Sequence, residues 1–192
     1  MDRLSMRLAT SADEPVLMGL RAEAEEWLAA AGIDQWRTPG VRDRALAKWQ
    51  VDIVEGRTWI AVGASSAPVA TVTLARPDQD FWHETDTPDS ALYVAKLITA
   101  RATAGQHVGG RVLDWVAGVA RARQLPWVRL DVWRTNRRLQ QYYLTEGFSH
   151  VRTEAPSHRL SGWMAQRPAA LVMHPENPIA TPSGADQEAR SA

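Results

Sequence analysis

The chain has 192 residues, 45% of them hydrophobic, with 22 basic and 22 acidic side chains and no cysteine. That length and apolar fraction suffice for one domain with a sizeable core and exclude global disorder. Zero net charge argues against a general electrostatic grip on nucleic acid or an anionic membrane, and the lack of cysteine excludes disulfides, cysteine-ligated zinc and an acyl-cysteine intermediate.

Met1 to Thr10 is too short and too charged for a signal peptide, and no stretch approaches the roughly 18 apolar residues of a membrane span. A soluble, cytoplasmic protein is expected, with no membrane partner. Lysine occurs only at Lys48 and Lys96, and alanine is abundant; that composition reads as a GC-rich bacterial genome.

Met6 to Ala9 reads as a short strand. Thr10-Ser11-Ala12-Asp13 then suits a helix N-cap, and Pro15 a first helical turn. Val16, Leu17, Leu20, Ala24, Trp27 and Leu28 follow at helical spacing, and Gly32 ends that helix. After Pro39-Gly40, Val41 to Val54 forms a second helix with Leu46, Trp49 and Ile53 on one face. Thr58 to Val62 and Val69 to Leu74 read as a strand hairpin. Residues 76–90, with two prolines and five acidic side chains, read as a loop.

Ala91 to Thr99 reads as a buried strand, Gly109 to Arg123 as a helix, and Trp127 to Trp133 as an alternating strand. Asn136 to Glu146 is a helix closed by Gly147. Phe148 to Val151 starts a further strand, and the apolar run Ala169 to Met173 reads as a last one. From Pro175, proline, serine, glycine and polar residues dominate. We therefore expect one α/β (α+β) domain over 1–174 and a disordered tail over 175–192.

The stretch from Leu92 to Trp115 carries the chemistry. A buried strand ends, a turn with Gly105, Gly109 and Gly110 follows, and a helix begins. Free N–H groups and the positive end of a helix dipole then converge, which suits a pyrophosphate. The glycines let backbone approach a ligand. The spacing is neither a Walker A loop nor a dinucleotide fingerprint, and the bland alternative is an ordinary strand–turn–helix connection.

Downstream, Asn136, Leu139, Tyr142-Tyr143 and Gly147-Phe148 stand at offsets of three, six, seven, eleven and twelve from the asparagine. Together with the upstream glycine loop and the order of elements, this resembles the GNAT acetyltransferases over about residues 6–173. Two loop positions depart from that family's pattern, Ala104 for an arginine or glutamine and His107 for a glycine. A histidine there either donates to a phosphate or covers it.

The resemblance implies a mixed, mostly antiparallel sheet of six to seven strands flanked by about four helices, with one strand pair splayed around the cofactor. It implies acetyl-CoA as co-substrate and direct transfer of the acetyl group to a primary amine, without a metal. By motif, Leu97, Ile98 and Thr99 offer strand backbone to the cofactor arm. Gly105, Gln106, His107, Val108, Gly109 and Gly110 hold its pyrophosphate, Asn136 lies beside the arm, and Tyr143 is the acid for the leaving thiolate. Asn136 and Tyr143 are thus the candidate catalytic residues.

The strand 91–99 has no carboxylate or histidine to act as base. His83, Glu84 and Asp86 in the acidic loop, Asp131, or a water chain are the alternatives. Trp36, Trp82 and Trp163 are candidates for an aromatic wall around the acceptor, with Glu84 and Asp131 beside it, and the acidic loop hints at a cationic small molecule. Two other readings stay open. One is a non-catalytic acyl-CoA-binding module. The other is an enzyme for aminoacyl-tRNA or a protein amine, with Arg134, Arg137 and Arg138 as a phosphate patch. A homodimer is an open possibility for assembly.

Overall fold

The computed structural model describes residues 3–181. Seven strands are present there: β1 (Ser5–Leu8), β2 (Thr58–Val62), β3 (Pro68–Ala75), β4 (Ala91–Thr99), β5 (Trp127–Trp133), β6 (Ser149–Thr153) and β7 (Ser161–Pro168). Four α-helices accompany them: α1 (Glu14–Ala30), α2 (Val41–Val54), α3 (Val108–Ala122) and α4 (Arg137–Thr145). The strands form one sheet in the order β1-β2-β3-β4-β5-β7-β6. Every neighbouring pair is antiparallel except β4 and β5, which α3 joins as a crossover. The mixed, mostly antiparallel sheet is as expected.

Alternation along the strands separates two faces. Trp59, Ala61, Leu92 and Val94 pack with Val112, Leu113 and Val116 of α3 and Tyr143 of α4. Ile60, Val62 and Ile98 face the other way, onto Leu17 and Leu20 of α1 and Trp49 of α2. On that second face Phe81 and Trp82 pack against Ala91, Tyr93 and Met164. The 76–90 segment is a loop, as expected, with short 3-10 turns at Glu84–Asp86 and Pro88–Ser90, and it is anchored by Phe81 and Trp82.

Two expectations at the C-terminus need correcting. The last strand is Ser161–Pro168, one segment before the apolar run 169–173. The pattern hid it because Arg167 is fully buried there. Its guanidinium donates to Asp114 (3.0 Å) and to the Glu146 carbonyl (3.0 Å), which is how a charge is accommodated in a core. The tail expected from 175 is also ordered at its start. The Met6 N–H donates to the Ala180 carbonyl at 2.9 Å and Trp115 Nε1 donates to Thr181 Oγ1 at 2.7 Å. Residues 182–192 lie outside the described residues. Among the described residues no helix is long and apolar enough to cross a membrane.

Candidate active site

Strands β4 and β5 pair only at Ala91–Tyr93 with Trp127–Arg129. Beyond that they part, although β4 runs on to Thr99 and β5 to Trp133. The cause is local. The β3–β4 register slips between Ala95 and Ile98, and Lys96 in that slip has φ +52°. An extra residue in one strand bends it away from its partner. The Lys96 side chain is held against α2 by an ion pair with Asp52 and lies over the Trp49 ring at 5.7 Å. Leu97, Ile98 and Thr99 thus sit on an edge that no longer pairs with β5.

The turn after β4 leads to α3 through Gly105 at φ +81° and His107 at φ +54°. The N–H groups of His107, Val108, Gly109 and Gly110 have no backbone acceptor among the described residues; the first helical bond runs from Arg111 N to His107 O at 3.0 Å. This is the set of free donors at a dipole's positive end expected of a pyrophosphate cradle. The glycines have a further role. A Cβ on Gly109 would meet the Tyr142 hydroxyl, and one on Gly110 would meet Glu146 and His174. Their missing side chains make room for protein groups, so close approach of a ligand is not the only reason for them.

Asn136 caps α4: its Oδ1 accepts from Leu139 N–H at 3.0 Å and its Nδ2 donates to buried Gln35 at 2.7 Å. Next to it, Asp34 accepts from Trp133 Nε1 (3.0 Å) and Thr135 Oγ1 (2.7 Å). Three side chains at the end of β5 thus pin the connection between α1 and α2. The Asn136 amide is engaged in that clamp, so its visible role is to position α4 and the 31–40 segment. Asn136→Ala removes a cap and leaves Gln35 buried without its donor. We expect about 2 kcal/mol less stability in urea unfolding, with the denaturant slope unchanged.

Tyr143 is buried between Tyr142 and Phe148 in edge contacts, with ring centres at 5.3 and 5.5 Å. Burial, with the charges of Asp131 and Glu146, holds its phenol well above the ordinary value, so it stays protonated. Tyr142 is raised in the same direction, chiefly by burial.

Asp131 lies on β5 two residues beyond the last pair with β4, where the gap begins. Desolvation raises its carboxyl to about 6, aided by the nearby Asp78 charge and opposed by a Ser161 hydrogen bond and by Arg159. Among the base candidates it is the one at the gap with a carboxyl poised near neutrality.

The other acceptor candidates do not come together. Trp36 lies under Arg21 on the α1–α2 core, with the guanidinium 4.3 Å from the ring centre. Trp82 is buried edge-on against Tyr93 at 5.6 Å. Trp163 packs in the core on the α3 and α4 face, stacked on His150 at 5.1 Å. These belong to three separate clusters, so the expected aromatic wall is absent among them.

Nor is the acidic segment a free negative patch. Asp86 takes both Arg152 nitrogens at 2.7 Å, and Asp78 and Asp80 pair with Arg159. The Arg152 hydrogen bonds lower the Asp86 carboxyl to about 2. Glu84 is exposed in its turn.

Known proteins share this architecture. A structure of a GNAT family acetyltransferase from Streptococcus agalactiae superposes with a TM-score of 0.69 at 16% identity, covering 86% of this chain and 95% of that one. PaiA N-acetyltransferase from Thermoplasma acidophilum, solved in complex with coenzyme A, gives 0.66 at 15% identity over 86% and 98%. In sequence, the uncharacterized N-acetyltransferase YesJ of Bacillus subtilis is 24% identical over 151 residues, 77% of this chain and 83% of that protein. The chain has the fold of the GNAT acetyltransferases. No family model matches it; the likeness is one of fold, with a distant N-acetyltransferase relative in sequence beside it. Its splayed strands and the α3 N-terminus lie next to each other in that fold.

Proposed function

We propose that this GNAT-fold protein transfers an acetyl group from acetyl-CoA directly to a primary amine of a small molecule. Asp131 at the opening of β4 and β5 carries the reading: a carboxyl raised to about 6 beside a strand gap suits a general base at neutral pH. Acetyl-CoA supplies an activated thioester carbonyl. The Leu97, Ile98 and Thr99 backbone offers the unpaired strand edge for its arm, and the N–H groups of His107 to Gly110 offer donors for its pyrophosphate. Asp131 takes the proton from the attacking nitrogen. Backbone N–H near Leu97 and Ile98 donates to the negative charge developing on the carbonyl oxygen. Tyr143 donates to the departing thiolate.

The state of the arginine cluster favours a small acceptor over RNA. Arg134 donates to the Arg159 carbonyl at 2.8 Å, Arg137 to Gln140 at 3.1 Å, and Arg138 lies over the Trp27 ring at 4.9 Å. Guanidiniums already engaged with protein make a poor phosphate patch. The paired acidic segment likewise gives a polycation little to hold.

Release of free thiol from acetyl-CoA, measured across a panel of small amines, peptide N-termini and lysyl peptides, tests the proposal. We expect amine-dependent release with a small-molecule amine. Acetyl-CoA binding with no release for any amine identifies a non-catalytic module, and release with peptides alone moves the acceptor to protein.

A further inference from the structure

One cluster of donor side chains plays no part in the acetyl-transfer steps, although the backbone N–H of His107 belongs to the proposed pyrophosphate cradle. His107, Glu146 and His174 come from the N-cap of α3, the C-cap of α4 and the segment after β7, and their ligand atoms all lie within 4.8 Å of one another. His174 Nε2 is 2.9 Å from Glu146 Oε2, and the two imidazole rings are 5.4 Å apart. We propose that these three side chains form a binding site for a divalent transition metal ion, zinc above all.

The donor set is the first reason. Two imidazoles and one carboxylate are a zinc-binding set that leaves a fourth position open. Zinc bonds of about 2.0–2.1 Å place tetrahedral donors about 3.3 Å apart. The His174–Glu146 pair is already within that spacing. Only His107 has to close, and it is exposed.

The support behind the donors is the second reason. Glu146 is buried, with its carbonyl held by the fully buried Arg167 at 3.0 Å. The same guanidinium donates to Asp114 at 3.0 Å, and Asp114 accepts from the backbone N–H groups of Met173 and His174 at 2.9 and 2.6 Å. One buried arginine thus holds the backbone of the residue that carries the carboxylate and, through Asp114, the chain that carries a histidine ligand. Outer partners of this kind orient metal ligands. Gly110 supplies the remaining condition, because a Cβ there would strike His174 and Glu146.

Electrostatics bear on it from two helices. The α3 N-terminus repels a cation, whereas Glu146 caps the C-terminus of α4, whose dipole end attracts one. The Glu146 carboxylate tips the balance toward a cation. The fourth position falls on the side of exposed His107 and takes water or another oxygen ligand. None of this depends on the acetyl-transfer reading.

The test uses the tag-free full chain, stripped with a chelator and dialysed against Zn2+. We expect one equivalent to bind, and Co2+ in its place to give the visible absorption of a low-symmetry site. His107→Ala and Glu146→Gln should each weaken Zn2+ binding more than about tenfold, the low end of what even outer partners cost. His150→Ala, outside the cluster, should leave it unchanged. No saturable binding by the wild type, or equal loss in His150→Ala, overturns the proposal. So does unchanged binding in His107→Ala, with circular dichroism used to check that the variant is folded.

Discussion

Replacing Tyr143 by phenylalanine is expected to lower kcat about 10- to 100-fold while leaving the Kd for acetyl-CoA unchanged. The size follows from the state of the phenol. Its proton is held well above the ordinary value by burial and by the Asp131 and Glu146 charges. A free thiol titrates at about 8.5, so complete transfer of the phenol proton to a thiolate runs uphill. In the proposed role, Tyr143 offers a charge-assisted hydrogen bond to sulfur as negative charge develops there. Such a bond contributes about 1.5–3 kcal/mol, which corresponds to a rate effect of that order.

Phenylalanine keeps the edge contacts with Tyr142 and Phe148, so folding should change little. Because Tyr143 remains protonated across the working range, wild type and variant should show pH profiles of the same shape at different heights. Wild-type turnover in the variant rejects the role. Loss of acetyl-CoA binding instead assigns the hydroxyl to the cofactor.

The sequence pattern located most elements because their periodicities are plain. Val128, Leu130 and Val132 alternate along one face of β5, and Val112, Leu113 and Val116 face the same core. The pattern failed where a polar group is buried. Arg167 sits in the sheet interior through partners on α3 and α4, and no local pattern announces that.

The candidate cofactor site was legible for a related reason: strand end, free helix N-terminus and tyrosine lie in two short segments, 91–110 and 136–148. Its supports were not legible, because they are long-range. Gln35 meets Asn136 across 101 positions, and its one signal was a polar pair between Gly32 and Trp36. Glu146 and His174 likewise meet from separate elements. The aromatic wall failed for the opposite reason: loop position suggested exposure, but Phe81 and Trp82 had a sheet face to cover.

Asp131→Asn should abolish a rising limb in kcat/KM near pH 6 and lower activity at pH 8 by about a hundredfold or more. The same substitution should make the protein more stable. The carboxyl is raised from 3.8 to about 6 in the folded chain. The folded state therefore binds the proton more tightly than the unfolded state does. Stability falls as pH rises from about 4 to about 6, where the desolvated carboxyl must ionise. A rise of that size corresponds to about 3 kcal/mol, fully felt above about pH 6 and absent below about pH 4.

Asparagine carries no such charge. The variant should therefore exceed wild type by about 2–3 kcal/mol in urea unfolding at pH 8, and match it at pH 3.5. The acceptor amine titrates much higher, near 10 for an alkylamine, so its own limb is separable from the one near 6. A variant that keeps the limb near pH 6 assigns the base to a water chain or to another residue. One that loses activity without gaining stability at pH 8 shows that Asp131 is a hydrogen-bonded structural carboxylate. A desolvated base predicts the two changes together: the free-energy cost of holding a carboxylate away from water disappears when the charge is removed, and the chemistry goes with it.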